Sequence, residues 1–344
     1  MASTQPAADD LAPSASPKTS PSGSPLNEEH GDTDSAYDEG SLNLSTASVP
    51  TSVYQYRKEH GRTYHAYKDG QYNFPNDATE LDRLDLQHMI FLLTFDGKLH
   101  NAPIKNDIHH VLDVGCGTGL WAMDFADAHP ETKVLGIDLS PVQDSFVPPN
   151  LEFEVDDANE QWLFKNKFDF IFARQHHSAI EETKLIDQAF DNLEPGGWIE
   201  LQELCLPCVS DDGTLLSDSA LLRCFNLLVE ASKKIGQPAD SPKNYEPAMR
   251  KRGFVNVEKH VHKWATNTWP TDPKEKEIGK WTKENLFQGI QGFALALLTR
   301  VLGWGEDEVE VLLMDVRNEI KNTEIHAYWP LYVVYGQKPE NPTA

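Results

Sequence analysis

The segment at residues 111–119, VLDVGCGTG, constrains the fold of this chain more than any other feature. Its first four residues, which include Asp113, suit a buried parallel strand, and glycine follows at Gly115, Gly117 and Gly119. A strand that ends in glycines and opens into a helix lets the backbone approach a ligand closely, with unpaired helix N–H groups facing it. The segment therefore predicts a strand, loop and helix that bind a nucleotide-type ligand.

The spacing of the glycines indicates which ligand this is. A dinucleotide loop usually reads GxGxxG, with the last glycine one place later, so that helix and strand pack around a pyrophosphate. Here the spacing is GxGxG, and Asp113 before the first glycine suits a ligand with an ammonium and a sulfonium better than one with two phosphates. S-adenosylmethionine has these groups. The alternative is that the glycines only serve a tight turn.

An acidic residue ends the next predicted strand, at 133–137. This residue, Asp138, lies 19 positions past Gly119, which is the reach expected for a carboxylate that binds ribose hydroxyls. We include the adjacent Leu139 in the predicted cofactor site. A helix N-cap is the alternative role for Asp138.

A third predicted strand, at 151–155, also ends in acidic residues, Asp156 and Asp157. A side chain or backbone group at this position is placed to read an adenine edge, and we favour Asp157 because an alanine follows it. Three successive strand ends then line one crevice, as expected in an open α/β sheet.

Five motifs in this order resemble those of class I S-adenosylmethionine-dependent methyltransferases, namely VLDVGCGTG, GIDLS, EVDDA, FDFIFAR and LEPGGWIEL, over about residues 111–201. The flanking segments GRTYHAYKDGQYNFPND and RLDLQHMIFLLTFDGKL resemble more narrowly the fungal LaeA-like methyltransferases, which are linked to secondary metabolism and in some members to velvet-type regulatory complexes. The resemblance implies a Rossmann-like class I methyltransferase fold of the α/β class and S-adenosylmethionine as cofactor. It also implies a small-molecule acceptor or velvet-type regulatory proteins as partners.

The pattern of predicted elements agrees with a seven-stranded sheet with one antiparallel strand. A helix at 76–95, with Asp77 and Glu80 in capping-box spacing, precedes the first strand. Helices near 274–302 and at 306–321 fall between the last two strands. Upstream of the first helix, five aromatic side chains between 64 and 76 either close over the bound molecules or pack on the core; these are Tyr64, His65, Tyr67, Tyr72 and Phe74.

Composition predicts two regions. Residues 1–50 are rich in Ser, Pro, Ala and Asp and carry eight acidic residues against one lysine. Because such a segment buries too little apolar surface to offset its chain entropy, we predict a disordered acidic tail. Residues 51–340 predict a single methyltransferase domain. We divide it into an N-terminal helical cap (51–100), a cofactor-binding core (101–210), and substrate-side helices with the last strands (211–340).

The net charge and the short apolar runs argue against a nucleic-acid-binding protein and against a membrane-spanning one. The formal net charge is −24, and an acidic body argues against direct nucleic-acid binding, which depends on Lys and Arg. No apolar run approaches the roughly 20 residues of a membrane span, and no signal peptide is recognisable. With four cysteines and one CxxC pair, a reducing compartment is expected, cytoplasmic or nuclear.

The methyl acceptor is expected beside the end of the fourth strand, at 168–173, where Arg174, Gln175, His176 and His177 follow. We assign Arg174 to the cofactor site. His176 is our candidate for a base that takes the acceptor's proton, because imidazole titrates near working pH, and His177 is second. The alternative is that these histidines bond to backbone. No metal site is predicted.

Three functions remain open at this point. The first is an enzyme that methylates a small molecule of secondary metabolism. The second is a regulator of the LaeA type that methylates a protein or acts through velvet-type partners. The third is a fold that binds S-adenosylmethionine but has lost catalysis, which the intact glycine loop and Asp138 weaken.

Overall fold

The computed structural model describes residues 56–65, 74–143, 146–176 and 179–340. The predicted tail at 1–50 lies outside these residues, as does His177. In the described part, a small antiparallel hairpin of β1 (Arg57–Glu59) and β2 (Arg62–Tyr64) comes first. His60 and Gly61 form its two-residue turn with φ of 48° and 74°. The predicted helical cap therefore also contains strands, which sequence periodicity did not indicate because each has only three residues.

The described residues form a central sheet of seven strands. In chain order these are β3 (His110–Val114), β4 (Lys133–Asp138), β5 (Leu151–Val155), β6 (Phe168–Arg174), β7 (Leu193–Leu204), β8 (Val255–Ala265) and β9 (Tyr328–Gln337). Their order in the sheet is β5-β4-β3-β6-β7-β9-β8. The pairs from β5 to β7 are parallel, and β9 is antiparallel to both of its neighbours. The predicted sheet with one antiparallel strand is confirmed.

Seven α-helices accompany the sheet in the described part: α1 (Ala78–Thr94), α2 (Leu120–Ala128), α3 (Glu182–Asn192), α4 (Ala220–Lys234), α5 (Tyr245–Arg252), α6 (Pro273–Arg300) and α7 (Glu306–Lys321). The predicted helices before the first sheet strand and between the last two strands are therefore present. No described helix is long and apolar enough to cross a membrane.

Side chains of β6 alternate between the two faces of the sheet, as a fully buried strand requires. Phe170 and Phe172 pack with α2, where the Trp121 ring lies 3.8 Å from the Phe172 ring. Ile171 and Ala173 pack on the opposite face, in the cluster that contains residues of α3 and α5. Helices on both faces leave the strand ends as the open edge of the sheet, where ligands bind in such folds.

Two local features bear on the sequence motifs. In the LEPGGWIEL motif β7 begins at Leu193, so Pro195, Gly196 and Gly197 lie within the strand, where its register with β6 is irregular. The capping box of α1 is only half formed: Asp77 accepts the Glu80 backbone N–H at 3.1 Å, but the Glu80 carboxylate binds Arg83 instead. A nearby guanidinium is a stronger partner for a carboxylate than a backbone N–H.

Candidate cofactor and acceptor site

The glycine loop is held to the neighbouring strand by backbone hydrogen bonds. Gly115 and Cys116 donate their N–H groups to the carbonyl of Ile137 at 2.9 and 3.0 Å. Gly115, Gly117 and Gly119 have φ of 70°, 56° and 82°, a region that favours glycine. The loop therefore turns sharply at the end of β3 and delivers the chain to α2.

Asp138 fastens this loop from the end of β4. Its two carboxylate oxygens accept the backbone N–H groups of Gly117 and Ser140, each at 2.9 Å. Burial raises the pKa of Asp138 to about 6, although these hydrogen bonds favour the charged form. Each oxygen keeps a further lone pair for a ligand hydroxyl.

Gly119 has a packing role in the structure. It is the N-cap of α2, and a Cβ at this position would collide with the Phe153 ring of β5. The residue therefore allows helix and strand to approach closely, which is one known role of glycine in such loops.

A cavity with about 470 Å³ of empty space lies at these strand ends, and we call it the strand-end cavity. Five residues of the predicted cofactor site line it, which are Gly115, Asp138, Leu139, Asp156 and Asp157. They come from the ends of three adjacent parallel strands, as expected. His65, Gln175 and His176 also line it.

Asp156 and Asp157 adopt a compact turn. The Asp156 backbone N–H donates to the carbonyl of Asp138 at 3.0 Å, and one Asp156 carboxylate oxygen accepts the Asp157 N–H at 2.8 Å. An Asp157 carboxylate oxygen accepts the Asn159 N–H, also at 2.8 Å. Both aspartates line the cavity, so the choice between them stays a prediction.

Asp113 is buried beneath the loop. The residue is 3% exposed, and its Oδ2 atom makes no hydrogen bond to any residue that the structure describes. The pKa of Asp113 is raised to about 7, mainly by burial; the charge of Arg174 opposes this shift and that of Asp138 adds to it. Burying a carboxylate oxygen without a hydrogen-bond donor costs free energy, so a ligand that brings a donor to this atom would be favoured.

Arg174 points towards α1 and is not one of the described residues that line the strand-end cavity, so its role in the cofactor site stays a prediction. Its Nη2 atom donates to Nδ1 of His88 at 2.9 Å, and its guanidinium lies 4.6 Å from the centre of the Phe91 ring. The protonated Nε2 of His88 then donates to Asp124 at 2.8 Å. Burial lowers the pKa of His88 to about 4 and that of Arg174 to about 10. Arg174 therefore joins β6 to α1 and α2, and its charge moderates Asp113.

His176 lines the strand-end cavity but its ring is held by protein groups. The Nδ1 atom lies 3.3 Å from Oε2 of Glu203, and Nε2 lies 3.3 Å from the Tyr245 hydroxyl. The same Glu203 oxygen accepts the His176 backbone N–H at 2.7 Å. Both ring nitrogens thus have partners, an arrangement that orients the residue.

A second cavity lies between helices, and we call it the helical cavity. It has about 880 Å³ of empty space including its mouth. Gln175 lines this cavity and the strand-end cavity. Gln175 has φ of 55° directly after β6, and its buried side-chain Nε2 has no hydrogen-bond partner in the part of the chain that the structure describes.

Apolar side chains from α1, α4, α6 and the sheet supply most of the helical cavity's wall. Examples are Leu84, Leu204, Phe225, Leu286, Phe293 and Trp329. The charged members are Glu80 and Arg83, whose side chains bond at 2.7 Å. Thus α1 contributes to the helical cavity.

Sequence reasoning missed several lining residues. Thr282 and Trp329 lie far along the chain from the motifs, and no motif signals them. Of the aromatic segment before α1, His65 lines the strand-end cavity and Phe74 lines the helical cavity, while residues 66–73 lie outside the described residues. Tyr64 packs instead, with Arg300 5.0 Å from its ring. The position of Gln175 just after the fourth strand was the one available signal.

Strand order, the glycine loop and the acidic strand ends together define a class I methyltransferase fold. A family model described as Methyltransferase domain matches residues 86–259, about half of the chain, and the chain belongs to this family.

Curated relatives agree with this assignment. The "Probable methyltransferase tdiE" of Emericella nidulans is 44% identical over 265 residues, which cover 76% of this chain and 83% of that protein. The "Methyltransferase pytC" of Aspergillus terreus is 40% identical over 297 residues, covering 86% and 92%. The "Secondary metabolism regulator LAE1" of Cochliobolus heterostrophus is 36% identical over 277 residues, covering 78% and 90%. The resemblance to LaeA-like methyltransferases is confirmed.

Proposed function

We propose that this protein is an S-adenosylmethionine-dependent methyltransferase of fungal secondary metabolism whose acceptor is a small molecule. The cofactor occupies the strand-end cavity and the acceptor occupies the helical cavity. The observation that carries this proposal is that Gln175 lines both cavities, so molecules bound in the two can meet at the end of β6. Methyl transfer requires such a meeting, because its rate depends on holding the acceptor atom against the methyl carbon.

The residues of the strand-end cavity fit the cofactor. Asp113 is not one of the lining residues, but it lies beneath the loop with its Oδ2 atom unpaired among the described residues, which suits an ammonium group. The Asp138 carboxylate retains acceptor capacity for ribose hydroxyls beside Leu139. Asp156 and Asp157 stand where an adenine edge is read. The positive φ of Gly115 and Gly117 keeps the loop free of side chains that would fill this space.

S-adenosylmethionine supplies an electrophilic methyl group, which the acceptor's lone pair takes while the C–S bonding electrons stay on sulfur and the acceptor loses a proton. The chain's own residues orient the acceptor and exclude water. Gln175 offers an amide N–H at the junction. The apolar wall of the helical cavity keeps bulk water from the reacting atoms.

For His176 the geometry favours positioning over proton removal. A base needs a ring nitrogen that reaches the acceptor, and both nitrogens already face Glu203 and Tyr245. We infer that His176 and Glu203 together fix the backbone that presents Gln175. In this case His176→Gln lowers turnover with no change in the shape of its pH profile, whereas loss of the acidic limb, on which turnover rises as a base loses its proton, would restore the base assignment.

The test of the function is transfer of a labelled methyl group from S-adenosylmethionine into a fungal cell extract, counted separately in organic-soluble and protein fractions. Label in the organic fraction supports the proposal. Gly117→Arg, whose side chain would fill space that the ligand needs at a position with a positive φ of 56°, serves as the inactive control, checked for folding by circular dichroism. Label only in protein, or none, contradicts a small-molecule acceptor.

A second candidate is a regulator of secondary metabolism, as the name of the 36% identical LAE1 relative suggests. In that role the protein methylates a protein or acts through velvet-type partners, in the cytoplasm or the nucleus. Label confined to protein in the transfer experiment, together with binding of a purified velvet protein, would favour this candidate.

A further inference from the structure

We propose that the helical cavity binds a neutral, flat, largely aromatic molecule that carries a hydrogen-bond acceptor such as a ring carbonyl. Trp329, Thr282 and Gln175 recognise that acceptor. The identification of this ligand as the methyl acceptor rests on the proposed function, but its binding does not.

The charges in the cavity cancel each other. Arg83 donates to both carboxylate oxygens of Glu80, at 2.7 to 3.1 Å, and its Nη1 donates to the Asn285 side chain at 2.8 Å. The two charged side chains are 5% and 4% exposed. Because each charge is already paired and buried, a charged ligand gains no counter-ion there and loses its hydration. A neutral ligand avoids that loss.

Aromatic side chains favour a flat ligand. Phe74 and Phe293 pack edge to face at 5.1 Å, and Phe225 meets Trp329 at 5.1 Å with 60° between the rings. All four line the cavity. Ring faces and edges of this kind pair best with other rings.

Polar atoms without partners supply the specificity. Among the described residues, the indole N–H of Trp329, the hydroxyl of Thr282 and the Nε2 of Gln175 find no hydrogen-bond partner. Trp329 and Thr282 are only 3% and 2% exposed. The Trp329 and Gln175 groups can only donate, so the missing partner must be an acceptor. Buried groups left without partners are costly, and a ligand that satisfies them gains selectivity over one that cannot.

The test compares two probes of almost equal shape, xanthone, which has a ring carbonyl, and xanthene, which has a methylene in its place. Binding of each is measured by calorimetry with the full chain. We expect xanthone to bind about tenfold more tightly than xanthene, since a polar site rejects a ligand that leaves its donors unpaired. Equal affinities, or no binding of xanthone, would overturn the proposal. So would tighter binding of xanthone-2-carboxylate, because the cavity would then prefer an anion.

Two variants identify the donors. Thr282→Val keeps the side chain's shape, and Trp329→Phe removes the indole N–H; each should weaken xanthone binding about fivefold and leave xanthene unchanged. Thr299→Val and Trp269→Phe are matched controls, because these side chains already donate to Leu295 and Ala327 carbonyls and do not line the cavity. If Trp329→Phe fails to fold, Thr282→Val decides alone. Unchanged xanthone affinity in Thr282→Val would then refute the assignment.

S-adenosylhomocysteine binding, measured in the same samples, separates the two proposals. Selective xanthone binding without cofactor binding keeps this inference and removes the proposed function. Cofactor binding without xanthone selectivity does the reverse.

Discussion

Asp138 accepts the backbone N–H of Gly117 at 2.9 Å, which joins the tip of the glycine loop to the end of the adjacent strand. The other carboxylate oxygen of Asp138 holds Ser140 in the same way. One side chain thus shapes the loop and faces the strand-end cavity. Deleting the side chain would therefore disturb the loop conformation together with the proposed ligand contact.

We expect Asp138→Asn to weaken S-adenosylhomocysteine binding at least about tenfold and to destabilise the protein by about 1–3 kcal/mol. The amide NH₂ must face either the Gly117 or the Ser140 N–H, so two donors meet. Calorimetric titration and urea unfolding measure the two effects. The exposed Asp127→Asn is the matched control, and an Asp138→Asn variant with unchanged affinity would remove Asp138 from the site.

Asp113 should make stability depend on pH. Its pKa is raised by burial to about 7 from an ordinary value of 3.8, so the folded state binds a proton that the unfolded state releases. Its stabilising contribution is complete below pH 3.8 and is lost as pH rises through 7. We expect the unfolding free energy of the wild type, minus that of Asp113→Asn, to fall by on the order of 2–4 kcal/mol from pH 4 to pH 8.

The comparison uses a difference because His65 and His88 titrate with the opposite sign. Burial lowers the pKa of each to about 4, so their contributions are lost as pH falls through that value. These contributions cancel between the wild type and Asp113→Asn. A difference that stays constant from pH 4 to pH 8 would show that Asp113 is ionised in the folded protein throughout.

Of the two hydrogen bonds that His88 makes, we expect the one with Arg174 to stabilise the protein more than the one with Asp124. Arg174→Met removes a buried charge-assisted hydrogen bond and a contact with the Phe91 ring, and we expect a loss of about 2–3 kcal/mol. The Asp124 side chain is 47% exposed, so Asp124→Ala should cost less than about 1 kcal/mol. Urea unfolding of both variants tests the ranking, and equal losses would contradict it.

Gly119→Ala tests close packing between α2 and β5. Gly119 and Gly213 both have positive φ, 82° and 78°. A Cβ at Gly119 would collide with the Phe153 ring, whereas a Cβ at Gly213 would have no described atom within 4 Å. Gly213→Ala should cost about 1–2 kcal/mol for its backbone conformation alone. Gly119→Ala should cost roughly 1–3 kcal/mol more. Thermal unfolding gives the comparison, and similar losses would mean that the Phe153 ring moves aside.

Much of the sheet and much of the strand-end cavity could be predicted from the sequence, because the patterns that indicate them span only a few neighbouring residues. The strand β5 and the helix α7 match their predicted bounds, since β5 alternates apolar and acidic residues and the buried residues of α7 recur at helical spacing. Parallel strands place their carboxyl ends at one edge. This rule alone brings Gly115, Asp138 and Asp156 to one cavity.

The direction of each side chain was decided by tertiary packing. The sequence correctly places Arg174 at the end of the fourth strand of the sheet. Its guanidinium, however, donates to the buried imidazole of His88 on α1, which lies 86 positions away in the chain. The ring of His176 is fixed by Glu203 and Tyr245, which no local pattern places beside it. Such contacts depend on which helices cover the sheet, and periodicity within one segment carries no information on its neighbours.

The sequence by itself determined the class of fold, the glycine loop and the acidic strand ends, because each depends on residues a few positions apart. The existence and the lining of the helical cavity became clear only from the tertiary structure. Its walls come from segments as distant as Phe74 and Trp329, and its unpaired donors become significant only once burial removes them from water.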